Sequence, residues 1–185
     1  MRVVAGSAGG IPLLVPKTDL RPTMDMVRNA LFSSLGDLVI NAHVIDLFAG
    51  SGSLGIEALS RGASTATFVE SDRKACAVIH QNLEKTRLAG RVIHSDVFRY
   101  LNSQAQSEPA TIVLADPPYS KLPNSRDFCT ELITSPFLPK LISPDGLLVL
   151  EVVRGWITPD TLHWELLRRK TYGSTEVLLL SRRSP

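Results

Sequence analysis

Apolar and polar positions change rhythm along the chain, and the changes divide it. From His43 onward, short runs that are apolar nearly throughout alternate with segments whose apolar residues return every three or four positions. The runs are HVIDLF (43–48), TATFVE (65–70), RVIHSD (91–96), TIVLADPPY (111–119) and LLVLEVV (147–153), the last entered through an Asp145-Gly146 turn. Each has the length of a buried strand, and two prolines stop the fourth abruptly. Between them, GSGSLGIEALSRGA (50–63) reads as a glycine-rich turn opening a helix that Gly62 closes. SDRKACAVIHQNLEKTRL (71–88) reads as a long helix with Ala75, Val78, Ile79 and Leu83 on one side, and 125–142 as helix broken at Pro136 and Pro139. The segment 163–182 reads as two strands about a turn near Gly173. Alternation of this kind predicts a doubly wound, Rossmann-like α/β domain with a mostly parallel sheet and an antiparallel C-terminal edge.

The first 41 residues do not follow that alternation. A short apolar stretch (2–5), a glycine-rich turn and a second apolar stretch (11–15) predict a hairpin or loop. A Lys-Thr-Asp-Leu-Arg-Pro-Thr stretch then leads into a helix with Met24, Val27, Leu31 and Leu35 in register, Thr23 placed to cap it and Gly36 to end it. The expected division is therefore an N-terminal extension, 1–41, and a main domain, 42–185.

Composition narrows the function classes. The chain has 185 residues, and 20 basic against 18 acidic side chains leave a net charge of +2, which names no partner. Cys76 and Cys129 stand far apart, and neither they nor His43, His80, His94 and His163 have metal-ligand spacing, so no metal is expected. No apolar run approaches the roughly 18 residues of a membrane span, and a cytoplasmic location is the expectation.

Ligands of such sheets lie outside the carboxyl ends of the strands. Those ends carry Asp46, Glu70, Asp96 and Asp116. Gly50-Ser51-Gly52-Ser53-Leu54-Gly55 satisfies GxGxxG between a strand and a helix, and Glu70, 20 residues after Gly50, can accept from both hydroxyls of a ribose. That pair alone fits a dinucleotide oxidoreductase. Asp46 shifts the balance, because a carboxylate beside the cradle repels a pyrophosphate but suits S-adenosylmethionine, which carries a sulfonium and an ammonium. Asp96 can accept from an adenine amino group or cap a helix over VFRYL. Phe48 is expected to pack beneath the loop.

Asp116-Pro117-Pro118-Tyr119 ends the fourth strand. An exocyclic amine on a purine is a poor nucleophile, because its lone pair is delocalised into the ring. The Asp116 carboxylate and the Pro117 carbonyl form an acceptor pair for both amino hydrogens. Prolines hold such acceptors ready, since they fix φ and restrict the residue before them. Tyr119 can stack on the base. Together the glycine loop and this tetrapeptide predict an amino-group methyltransferase.

DLFAGSGSLGIEALSRGA, FVESDRKA, DPPY, the N-terminal LRPTMDMVRNALF and the late KTYGSTEV together resemble the RsmD family, bacterial enzymes that methylate the N2 amino group of one guanine in small-subunit (16S) ribosomal RNA. The resemblance covers nearly the whole chain. It implies the seven-stranded class I methyltransferase fold, S-adenosylmethionine as donor, a cytoplasmic monomer, and 16S rRNA or an assembling small subunit as substrate. By position it implies that Asp46, Gly50 and Gly52 hold the methionine part of the cofactor, with Phe48, Ala49, Ser51 and Ser71 also in the cofactor site. Glu70 would take the ribose, Asp96 with Val97 the adenine, and Asp116 to Tyr119 the target guanine. Two departures bear on RNA: Gly6 to Leu13 lacks the family's usual basic stretch, and Met26 and Asn29 replace an arginine and a glutamate.

A guanine amine inside folded RNA reaches a pocket only if the base is flipped or unpaired, and local cations must then hold phosphates. Candidates are Arg2, Lys17, Arg21, Arg28, Lys121, Arg126 and Arg154, with Arg21 and Arg28 equally open to structural roles. Arg168, Arg169 and Lys170 are expected to face solvent away from the strand ends. The rival functions are adenine-N6 nucleic-acid or protein-glutamine methylation, an NAD-dependent oxidoreductase, and a non-catalytic RNA-binding module.

Overall fold

A computed structural model describes residues 1–15, 24–103, 108–118 and 126–183. Its elements are α1 (Met24–Leu35), β1 (His43–Leu47), α2 (Ser53–Ser60), β2 (Thr65–Glu70), α3 (Arg73–Thr86), β3 (Arg91–His94), α4 (Val97–Ser103), β4 (Ala110–Ala115), α5 (Phe128–Thr134), α6 (Leu138–Leu141), β5 (Ile142–Val153), β6 (Trp164–Tyr172) and β7 (Thr175–Arg182), with a 3₁₀ turn, Gly36–Val39, after α1. The seven strands form one sheet in the order β3-β2-β1-β4-β5-β7-β6. β1 to β5 run parallel, whereas β7 is antiparallel to both β5 and β6. The C-terminal edge is thus antiparallel as expected, and the last strand is inserted between its two predecessors.

The order reverses at β1, between β2 and β4, so the crevice for a ligand opens where the loops after β1 and β4 diverge. Asp145-Gly146 lies within β5 rather than ahead of it. Pairing with β4 jumps from Ala110↔Ile142 to Ile112↔Leu147, and Gly146 sits in that excursion, where a Cβ would lie 2.7 Å from the Ile142 side chain.

Each face of the sheet is covered by an apolar layer. One joins Val44, Phe68 and Ile112 to α2, α3 and α1, and also takes in Val3, Ala8 and Leu13. Packing therefore continues across residue 41. The first strand-like stretch is a hairpin held by a single antiparallel bridge, Arg2↔Pro12, with Val3 N donating to Ile11 O. The opposite layer joins Leu47, Val113 and Leu148 to α4, α5 and α6, and Trp164 Nε1 donates to Ile133 O at 2.9 Å. Among the described residues no helix is long and apolar enough to cross a membrane.

Candidate active site

Asp46, the penultimate residue of β1, is 1% exposed, and its Oδ2 accepts from Gly55 N at 2.9 Å. That bond fixes the first turn of α2 against the strand and closes the glycine loop from below. Burial pushes the Asp46 carboxyl up to about 8; the bond from Gly55 opposes the shift and the charge of Glu70 adds to it. Glu70, at the end of β2, grips the loop from the side. Its Oε2 accepts from Gly50 N at 2.8 Å, and its Oε1 from Asp72 N at 2.7 Å. Gly50 and Gly52 have φ of +55° and +77°, which only glycine adopts without strain.

The ring beneath the loop is Phe68, not Phe48. A Cβ on Gly55 would stand 2.4 Å from Phe68 Cε1, and one on Gly52 3.1 Å from Ile79 Cγ2. Phe68 lies on the sheet face that α2 and α3 cover. Phe48 lies past the end of β1 with φ of +58°, which turns its ring out of the sheet. It meets Phe128 and Phe98 edge-on, at centroid distances of 5.7 and 6.3 Å.

A cleft at the carboxyl edge gathers Phe48, Glu70, Ser71, Asp96, Val97, Pro118, Arg126 and Phe128. Six of these are residues expected from the sequence at a cofactor or substrate site. Asp46, Ala49 and Ser51 are buried behind it. Asp96 Oδ1 accepts from Phe98 N and Arg99 N at 3.0 and 3.1 Å, the geometry of a helix cap on α4. Beyond β4, Asp116 is half-buried, Pro117 buried and Pro118 exposed at the cleft. Tyr119, Lys121, Lys17, Arg21 and Thr23 lie outside the described residues.

The cations separate into different kinds. Arg2 and Arg154 are exposed. Arg28 is not a surface residue. It is 3% exposed, donates to Asp25 Oδ1 at 2.8 Å and to Arg2 O, and its Nε lies 3.5 Å from Glu57 Oε2. Its charge is met by Asp25 on its own helix and by the buried Glu57, so it leaves the set of phosphate contacts. Arg126 is a wall of the cleft. Its guanidinium lies 4.6 and 4.7 Å from the Phe98 and Phe128 ring centres and makes two 2.6 Å bonds to Glu131. Arg168, Arg169 and Lys170 do not act alike: Arg169 pairs with Glu176 at 2.7 Å and Lys170 Nζ donates to Ser34 Oγ at 2.6 Å, because a strand sends neighbours to opposite faces.

Sequence reasoning missed Phe98 and Phe128, which flank the acids but carry no motif, and Asn82. Asn82 had a signal. It is a polar residue on the buried stripe of α3, beside Ile79, Leu83 and Thr86. Burial raises both thiols, with the charges of Asp127 and Asp116 adding to it at Cys129, which reaches about 12, and this disfavours the thiolate. Among the described residues no group of three or more His, Cys, Asp or Glu is placed to hold a metal.

Known proteins resemble this chain over nearly its whole length. The family model described as Conserved hypothetical protein 95 matches residues 1–181. Ribosomal RNA small subunit methyltransferase D of Escherichia coli (strain K12) is 33% identical over 185 residues, covering 98% of this chain and 90% of its own. The solved structure of Escherichia coli yhhF superposes with a TM-score of 0.85 at 30% identity, over 99% of this chain and 98% of its own. A Thermus thermophilus 16S rRNA N2 G1207 methyltransferase, solved with AdoMet and guanosine, shares the fold at a TM-score of 0.67 and 20% identity, over 90% of this chain and 44% of its own. Matched from the N-terminal hairpin to the last strand, this chain belongs to the Conserved hypothetical protein 95 family, the RsmD family of methyltransferases.

Proposed function

We propose that the protein transfers a methyl group from S-adenosylmethionine to the exocyclic N2 amino group of a guanine in small-subunit ribosomal RNA. The observation that carries the reading is the meeting, on one sheet edge, of an acid-lined glycine loop and the Asp116-Pro117-Pro118 corner. The residues fit S-adenosylmethionine: a Cβ on Gly50 would meet nothing nearer than Phe48 O at 4.0 Å, so ligand can approach the backbone there, and Glu70 and Asp96 line the cleft with carboxyl groups for a cationic ligand. Glu70 would take the ribose, Asp96 with Val97 the adenine side, and the loop from Asp46 to Gly52 the methionine side. When bound, the cofactor supplies an electrophilic methyl on a sulfonium sulfur.

The chain supplies placement. Asp116 and the Pro117 carbonyl accept the two amino hydrogens, which favours pyramidal nitrogen and frees its lone pair. Buried Pro117 keeps that acceptor pair from relaxing. Aligning the two reacting atoms is the main contribution such a site can make. The proton leaves after transfer, through Asp116 or water. Tyr119 would stack on the base, and the exposed Arg2 and Arg154, with Lys17, Arg21 and Lys121, would hold phosphates as the protein acts as a monomer on RNA or the assembling subunit.

The test is methylation of stripped small ribosomal subunits, total DNA and release factors with labelled donor, followed by mapping of the modified nucleotide. Label in one guanine of the small-subunit RNA is expected. Label confined to DNA or to a protein glutamine would overturn the reading.

A further inference from the structure

The N-terminal hairpin lies against the glycine loop and its helix. Glu57 of α2, fully buried, accepts from Val4 N at 2.7 Å and from Ala5 N at 3.1 Å. Ser60 Oγ accepts from Ala8 N at 2.9 Å, and Gly6 approaches so closely that a Cβ would stand 1.8 Å from Ser60 O. The far end of the hairpin is held by one side chain. Asn82 of α3, 0% exposed, accepts from Leu14 N at 2.8 Å through Oδ1. Its Nδ2 donates to Leu14 O and to Ser51 O, each at 2.9 Å. Both donors and the acceptor of the amide are thus used on two backbones 37 residues apart, the hairpin end at Leu14 and the middle of GxGxxG at Ser51.

From this we infer that Asn82 is a positioning residue for the cofactor loop, with the hairpin serving as the outer half of its bracket. A loop with glycines at 50, 52 and 55 has high conformational freedom and needs outside bonds to keep one shape. Asp46 and Glu70 hold its two ends at Gly55 and Gly50, and Asn82 holds its centre. Aspartate would not serve, having no donor for Ser51 O, and an apolar residue would leave the buried Ser51 carbonyl and the part-buried N–H and C=O of Leu14 without this partner. The contact of Ser51 Oγ with Met1 Sδ, at 3.9 Å, brings the hairpin's first residue to the same point.

The inference rests on the loop's role in binding S-adenosylmethionine, and the experiment separates the two. Amide hydrogen exchange is measured on the ligand-free protein, and S-adenosylmethionine affinity by calorimetry, for wild type, Asn82→Ala and Leu14→Pro. Leu14→Pro removes one of the bonds at an exposed position and keeps the question answerable if Asn82→Ala does not fold. In Asn82→Ala, exchange at Gly52 and Gly55 should quicken and the dissociation constant rise, each about tenfold, and about threefold in Leu14→Pro. Exchange at Leu178 and Leu180 in β7, and kcat at saturating donor, should stay within about twofold of wild type. Unchanged loop exchange in a folded variant would overturn the assignment, as would equal acceleration in the loop and β7. Wild type that fails to bind the donor would defeat the cofactor reading instead, and leave the exchange arm to decide the bracket.

Discussion

The two corners that meet in the cleft are held by opposite means. The corner after β1 is built of glycines and has little stiffness of its own. Three side chains from three other elements, Asp46, Glu70 and Asn82, reach its backbone. The corner after β4 is built of prolines, whose rings fix the backbone covalently, and Pro117 is anchored by burial. Glycine lets a chain come close to a ligand but leaves its shape to be imposed from outside. Proline imposes shape locally and gives up adaptability. A cofactor that must be enclosed suits the first arrangement, and a planar amine that must be gripped at two points suits the second.

Substitutions should sort accordingly, affinity for the donor falling with one corner and turnover with the other. Asp116→Ala should lower kcat about 10²–10³-fold while the S-adenosylmethionine dissociation constant moves less than twofold, read by single-turnover kinetics and calorimetry. An equal change in both would erase the distinction. Glu70→Ala removes an ionised acceptor from Gly50 and from the cleft, so donor affinity should fall about 10–100-fold with kcat at saturation largely kept. A smaller effect concerns pH. The folded protein holds a proton on Asp46 up to about pH 8, whereas the unfolded chain releases it near 3.8. The folded state therefore binds more protons through that window, and Asp46 makes stability fall as pH rises from 4 to 8. Asp46→Asn keeps an acceptor for Gly55 N, and the difference in urea midpoint between pH 5 and pH 8 should shrink. Smallest, Pro117→Ala should cost about 0.4–1 kcal/mol in a denaturant titration, by freeing the unfolded chain, and should slow turnover with donor affinity unmoved.

Local patterns made the parallel strands, GxGxxG and the acids at strand ends readable, because each depends on residues a few positions apart. Phe48 and Phe68 show where that stops. Both are aromatics near a strand end, and only the handedness of the backbone at 48 decides which one lies beneath the loop. Arg28, in sequence equally open to a phosphate contact or a structural role, proves structural, with Asp25 one turn away and Glu57, 29 positions away on α2 and fully buried, beside it. Asp25, three positions before it on the same helix, is a legible partner, whereas Glu57, brought in from another element, leaves no periodic trace. The order β5-β7-β6 was hidden for a similar reason. A strand–turn–strand pattern predicts pairing, and it is silent on which partner also meets the rest of the sheet.

That order has a consequence for how the molecule comes into being. β6 touches the sheet only through β7, which is synthesised after it. Until residues 175–182 are made, β6 has no strand to pair with and β5 keeps an open flank. A nascent chain halted before Thr175 would carry two unsatisfied strand edges, so quality control could recognise an unfinished copy by them.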